Sequence, residues 1–273
     1  MAGRGSGPDF VESLARGLDV LGCFDASHRE MSLAEVASST GLARPTARRL
    51  LLTLQELGYV RSVDGAFSLT PRCLTLGTAY VASLGLWEIA RPHLEALVRR
   101  TGESSSMAQL QGSDIIYVAR VSVPKIIALR VEIGTLFPAP VTSQGKVLLA
   151  SLSPSELDEV LEIPSRSGLT PPHSLVEPEE MSRKSLDAEL AQVRARGWAL
   201  ADEELAPGVR SVSVPVRDGA GSVRAAMNVT VHAAETTTGT LLDQHLPHLL
   251  RAAGEVSSDW ALWQSRPHAE ARA

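Results

Sequence analysis

Apolar residues recur at helical spacing from the start of the chain: Val11, Leu14, Leu18 and Leu21, continued by Phe24, predict a helix over about 9–24 with one face turned inward. Ser32-Leu33-Ala34-Glu35 has the form of a capping box, in which a hydroxyl and a carboxylate satisfy each other's free amides, so a short helix runs to about Ser39. Thr40-Gly41-Leu42 interrupts the pattern. Pro45 has no amide hydrogen and suits only a helix's first turn, so a third helix begins near Arg44. Its apolar face is Ala47, Leu50, Leu51, Leu54 and Leu57, which leaves Arg44, Thr46, Arg48 and Arg49 outward near its start; Gly58 ends it. Tyr59-Val60-Arg61 and Ala66-Phe67-Ser68-Leu69 alternate as strands do, and the Asp64-Gly65 pair between them marks a tight hairpin.

A second helical pattern starts at Thr70 (Leu76, Tyr80, Leu84, Trp87) and meets Pro92, which should kink it or restart a helix carrying Leu94, Leu97 and Val98. Beyond this junction the period changes. Strand-like runs over 106–110, 115–121 and 126–132 suggest a meander, followed by a helix over 143–151, a second capping box at Ser153-Pro154-Ser155-Glu156, and a longer helix ending at Gly197. Strands over 198–202, 209–216 and 223–231 precede a last helix through Leu242, Leu246, Leu249 and Leu250. The expected architecture is α+β: a winged helix-turn-helix over 9–72, a linker helix over 73–91, and a domain with an antiparallel sheet over 92–263.

Composition narrows the function. The chain has 273 residues, 44% of them hydrophobic, enough for two domains with cores. It has no run of about 20 apolar residues and no apolar leader segment, so no membrane partner is expected and the place of action is cytoplasmic. Cys23 and Cys73 lack metal-ligand spacing, and only His245 and His248 share a helix face, so neither a metal nor a cofactor is expected. Net charge is -5, yet the stretch 43–72 holds Arg44, Arg48, Arg49, Arg61 and Arg72 against only Glu56 and Asp64. Such local basicity fits a phosphate-facing patch on an otherwise acidic protein.

A helix, a glycine-containing turn and a basic second helix match a major-groove reader, and arginine suits both guanine edges and phosphates. Ser32, Arg44, Pro45, Thr46, Arg48, Arg49 and Arg61 are the candidate contacts to double-stranded DNA. Two other classes stay open on these residues: a small partner-binding bundle with solvated arginines, and an enzyme with a helical N-terminal interaction domain. Against an enzyme, the chain lacks a Gly-x-Ser-x-Gly elbow, a phosphate loop and an HExxH motif. Asp202, Glu203 and Glu204 are paired acids able to do acid-base work, though a polar loop rim explains them more simply.

Residues 13–21 (SLARGLDVL) and 41–51 (GLARPTARRLL), with 142–150 (TSQGKVLLA) and 196–204 (RGWALADEE), resemble the isocitrate-lyase-regulator (IclR) family of transcription regulators, a likeness spanning about 9–263. The stretches 205–216 and 225–233 are most similar to the branch controlling the β-ketoadipate pathway, whose effectors are protocatechuate, para-hydroxybenzoate or β-ketoadipate. The resemblance implies a GAF-like sensor domain with pocket positions at Ser143, Gln144, Asp202, Ser211, Asn228 and Thr230; Gln144 departs from the Gly-Ala or Met of relatives. It implies no enzyme. Physical chemistry adds the backbone amides of Ser143, Gln144 and Gly145 at a helix N-terminus, suited to a small carboxylic acid, and the alternating donors Ser211, Ser213, Asn228 and Thr230. Leu110, Leu129, Val131 and Phe137 are candidate apolar walls. Arg210 either pairs with an acid, Asp202 included, or turns to solvent; Lys146 either steers an anion or covers surface. The expected assembly is a homodimer or tetramer on a palindromic operator, with half-sites about 34 Å apart and the helix around Leu76 to Trp87 joining protomers.

Overall fold

The structure, a computed structural model, describes residues 7, 9–25, 27–124, 131–167 and 182–265. The chain divides into two compact units, Met1–Ser83 and Leu84–Ala273.

The first unit holds α1 (Glu12–Gly22), β1 (Met31–Ser32), α2 (Leu33–Thr40), α3 (Arg44–Glu56), β2 (Val60–Val63), β3 (Ala66–Leu69) and α4 (Leu74–Leu84), the last straddling the division. The capping box starts α2: the Glu35 amide donates to Ser32 Oγ at 3.3 Å and the Ser32 amide to Glu35 Oε2 at 2.7 Å. That bond from the Ser32 amide also holds the Glu35 carboxyl below its ordinary range. Pro45 sits in the first turn of α3. β2 and β3 pair antiparallel across Asp64 and Gly65, whose φ values of 49° and 83° are both left-handed, as a two-residue hairpin turn demands. β1 adds to the other edge of β3. Val20, Val36, Ala47, Leu51 and Val60 form the core of this unit.

Two expectations change here. Leu14 and Leu18, which the spacing places on an inward face, are 63% and 56% exposed; α1 buries Val20 instead. The helical run after Thr70 breaks at Gly85, at φ 60°, while Pro92 lies inside the next helix.

The second unit opens with α5 (Leu86–Thr101) and builds one antiparallel sheet from β4 (Ser104–Gln111), β5 (Asp114–Val121), β6 (Leu136–Pro138), β7 (Ala199–Asp202), β8 (Val209–Arg217) and β9 (Val223–His232), in the order β6-β5-β4-β9-β8-β7. Between strands run α6 (Ser143–Ala150), α7 (Pro154–Glu162) and α8 (Arg183–Arg196); a single turn α9 (Thr238–Thr240), a π-helical stretch (Leu241–His245) and α10 (Leu246–Gln264) follow. Prolines fall where no ladder bond is lost. Pro138 is on the edge strand β6, and Pro215 lies past the end of the β7 pairing.

Alternation along the strands sorts the two faces. Met107, Val212, Met227 and Val229 pack against Ala90 and Leu94 of α5 and against Leu249 and Val256 of α10. Ile115, Tyr117 and Ala226 face Leu149 of α6 and Leu190 of α8. Of the strand expected over 126–132, residues 126–130 lie outside the described residues, and 131–132 are not strand; β6, three residues long, completes the meander instead.

Candidate functional site

A hollow lies between the N-terminus of α6 and the sheet, with a cavity volume of about 30 Å³. Pairing register explains its polar floor. Ser213, Asn228, Ser106 and Arg120 stand directly opposite one another across β8, β9, β4 and β5, and Ser211 and Thr230 form the next row. Most of these groups are tied in place. The Ser106 amide donates to Asn228 Oδ1 at 2.8 Å, Asn228 Nδ2 donates to Thr230 Oγ1 at 2.9 Å, and Gln144 Nε2 donates to the Ala226 carbonyl at 2.9 Å. Ser143 Oγ lies 2.7 Å from both Ser211 Oγ and Ser213 Oγ.

The far wall is aromatic. The Tyr117 and Phe137 rings meet edge to face with centroids 5.7 Å apart, and burial pushes the Tyr117 phenol up to about 12, so it stays protonated at neutral pH. Arg120 is half-buried beside them, its guanidinium pKa lowered by burial, with Nη1 donating to Ser106 Oγ at 2.9 Å. Among the described residues, no Asp or Glu is in the lining.

α6 is held close to the chain before it. A Cβ on Gly145 would stand 2.1 Å from the Ala139 carbonyl oxygen, so only glycine fits. One residue on, Lys146 is 1% exposed, its Nζ 2.7 Å from Glu189 Oε1 and 2.6 Å from Glu204 Oε1. Burial raises the Glu204 pKa, with Lys146 pulling the other way.

In the first unit, Arg44, Arg48 and Arg49 are exposed and form no ion pair among the described residues. Thr46 is half-buried, and with Arg49 it edges a groove of about 850 Å³ walled by Leu14, Leu18, Leu50, Leu57 and Leu76. Ser32 caps α2, Pro45 is exposed on α3, and exposed Arg61 on β2 donates from Nε to Ser68 Oγ at 3.1 Å.

Two family models match this chain: the IclR helix-turn-helix domain over residues 13–64 and the bacterial transcriptional regulator IclR C-terminal domain over residues 78–258. The chain belongs to the IclR family. Among this regulator's relatives, the Pca regulon regulatory protein of Pseudomonas putida is 39% identical over 91% of this chain and 84% of its own. The p-hydroxybenzoate hydroxylase transcriptional activator of Acinetobacter baylyi is 33% identical over 91% of both chains. A solved transcriptional regulator of Rhodococcus sp. RHA1 superimposes with a TM-score of 0.76 at 44% identity, covering 93% of this chain and 100% of its own. The relatives named here are regulators, not enzymes.

Of the pocket residues expected in this IclR-family chain, Phe137, Ser143, Gln144, Ser211, Asn228 and Thr230 line the hollow, as does the wall residue Val131. Leu129 lies outside the described residues. Ser213 is fully buried outside the lining and bonds to Ser143 Oγ, which is in it. Gly145 has a packing role, and its amide donates to Thr142 Oγ1 at 3.0 Å instead of facing the cavity. Asp202 and Arg210 are outside the lining because they bind each other: Arg210 Nε donates to Asp202 Oδ1 at 2.6 Å and Nη1 to the Thr236 carbonyl at 2.6 Å. Lys146 neither covers surface nor faces the hollow. Leu110 packs in the core between the sheet and α6.

The spacing missed Tyr117 and Arg120 for one reason. Across β4 and β5 the register slips at Met107/Ala108, so that Val118 has no opposite number. This bulge reverses the alternation between Tyr117 and Arg120, and both side chains reach the same hollow. Thr142, the N-cap of α6, and Leu205 were missed as well. Among the described residues, no group of three His, Cys, Asp or Glu could hold a metal ion, and no helix is long and apolar enough to cross a membrane.

Proposed function

We propose that this IclR-family regulator acts as a homodimer in the cytoplasm, binds a palindromic operator through α3, and is switched by a small aromatic carboxylic acid held beside α6. The observation that carries the ligand class is the hollow itself: an aromatic edge made by Tyr117 and Phe137 and hydroxyls of Ser143, Ser211 and Thr230 line it together, with no acidic side chain among the described residues of its lining. A ring stacks on the first and its polar substituents bond to the second. The names of the two relatives, which point to the pca genes and to p-hydroxybenzoate hydroxylase, support the same class. With room for only a water or two at about 30 Å³, the site must open side chains to admit a ring. Ligand entry is therefore coupled to a shape change, as switching requires.

For DNA, exposed Arg44, Arg48 and Arg49 stand with exposed Pro45 at the start of α3 after a glycine-containing turn, and Arg61 on the wing and Ser32 at the cap of α2 are the candidate phosphate contacts. The leucine-walled groove between α1, α3 and Leu76 supports the dimer: an apolar surface of this size marks a contact site. Two α3 helices one helical turn of DNA apart then address both halves of a palindrome.

The test pairs two measurements. Thermal shift with benzoate, 4-hydroxybenzoate, 3,4-dihydroxybenzoate and β-ketoadipate should stabilise the protein by ~2.7 kcal/mol at 100 times Kd for a true ligand. A gel shift on the upstream intergenic DNA should lose its complex in the Arg48→Ala/Arg49→Ala variant while ligand affinity is kept. Binding of none of the three benzoates removes the aromatic class, whether or not β-ketoadipate binds; equal loss of DNA and ligand binding in the variant points to misfolding.

A further inference from the structure

Arg120 is the cation in the described lining of the hollow, and it differs in one respect from Lys146 and Arg210, which stand on elements that wall it. Lys146 on α6 is bound by Glu189 and Glu204, and Arg210 on β8 is bound by Asp202 and the Thr236 carbonyl. Both positive charges are neutralised inside the protein. Arg120 on β5 has a single partner, the neutral hydroxyl of Ser106, and pairs with no carboxylate among the described residues. A guanidinium presents five donors in a planar fork matched to a carboxylate, and a half-buried one ordinarily finds such a partner. The β-bulge at Val118 is what turns this arginine onto the α6 side of the sheet; unbroken alternation from Tyr117 would direct it to the opposite, apolar face.

We propose that Arg120 is the carboxylate receptor of the effector pocket and the residue that makes it select an acid over an uncharged analogue. The assignment rests on the aromatic-acid reading given above. The N-terminus of α6 is the weaker anchor, since its fractional charge of about +0.5 competes with a full charge, and its Gly145 amide is already capped by Thr142. Arg120 reaches over β4 to Ser106, whereas the Ser143–Ser211 pair lies over β8, two strand spacings or roughly 9.6 Å away along the sheet. A benzene ring with its carboxylate on Arg120 points its opposite edge toward those hydroxyls, which take a ring hydroxyl.

Isothermal titration of the full-length protein with 4-hydroxybenzoate and 3,4-dihydroxybenzoate, and with the amide of each, reads this directly. The wild type should prefer acid to amide. Arg120→Gln, which keeps a donor for Ser106, should weaken the acid by about 30-fold or more while changing amide affinity less than about threefold, and Arg120→Lys should recover part of the loss. If Arg120→Gln keeps the acid preference, or loses acid and amide equally with an unchanged melting temperature, the assignment is overturned and the effector reading stands. If the wild type binds no acid, the effector reading itself fails and takes the assignment with it.

Discussion

The two units depart from the rule of apolar inside and polar outside in opposite directions. The first leaves leucines in water: Leu14, Leu18, Leu57 and Leu76 are all more than half exposed and wall one groove. The second brings polar groups inside, with Ser104, Ser105, Ser106, Ser143, Gln144, Lys146 and Ser213 each at most 1% exposed. Scattered exposed leucines mean little, but a shared groove is a surface awaiting another surface. Buried hydroxyls and amides persist only when bonded, and here they are bonded to backbone groups, to charged side chains and to one another, which leaves a polar bank beside a cavity. On the proposed reading the first unit has a surface for a partner to cover, whereas the second is bonded internally without a ligand.

Breaking each half should show that difference. Placing charge in the groove with Leu18→Glu/Leu76→Glu should turn a dimer into a monomer in sedimentation and lower operator affinity by about 10²- to 10⁴-fold, because the two half-sites are no longer linked. An unchanged sedimentation coefficient would assign the groove another role. In the second unit, Lys146→Met leaves Glu189 and Glu204 without their cation. Because both acids are partly solvated, the expected loss is about 2–4 kcal/mol, read by urea unfolding, with Glu204→Gln in the same chain recovering part of it.

Gly145→Ala drives a methyl group into the Ala139 carbonyl and should cost about 1–3 kcal/mol, seen as a lowered melting temperature without loss of operator binding by the folded fraction. The smallest effect is a pH trend. The Glu204 pKa is raised in the folded chain above its ordinary 4.5, so above that pH the folded state holds a proton the unfolded chain has released. Stability from this group is therefore full below 4.5 and declines as pH rises through the raised value. Urea midpoints measured across this window should fall for the wild type relative to Glu204→Gln; parallel curves would contradict the assignment.

The readable parts of the sequence were those whose signal is local. Ser32 with Glu35, Pro45 at a helix start and Asp64-Gly65 each define their element within four residues, and each stands in the structure as spaced. The break at Gly85 was hidden because Pro92 is the stronger breaker by composition, yet α5 accommodates it. β6 is too short, and ends in proline, to alternate visibly. In the site, Ser211, Asn228 and Thr230 were legible because β8 and β9 keep strict alternation there, whereas Tyr117 and Arg120 depend on a bulge that only cross-strand pairing reveals. Asp202 has the look of a pocket acid in the sequence, but Arg210, eight residues on, holds it.

The hydroxyl cluster of Ser143, Ser211 and Ser213 has no built-in direction. Each member can give or take a hydrogen, so the relay can run from Ser213 toward Ser211 or back without losing a bond. Its outer end therefore has no fixed polarity: an arriving phenol meets an acceptor, and an arriving carbonyl or ether meets a donor. A lysine or carboxylate there would have dictated one answer, while three serines let the visitor decide.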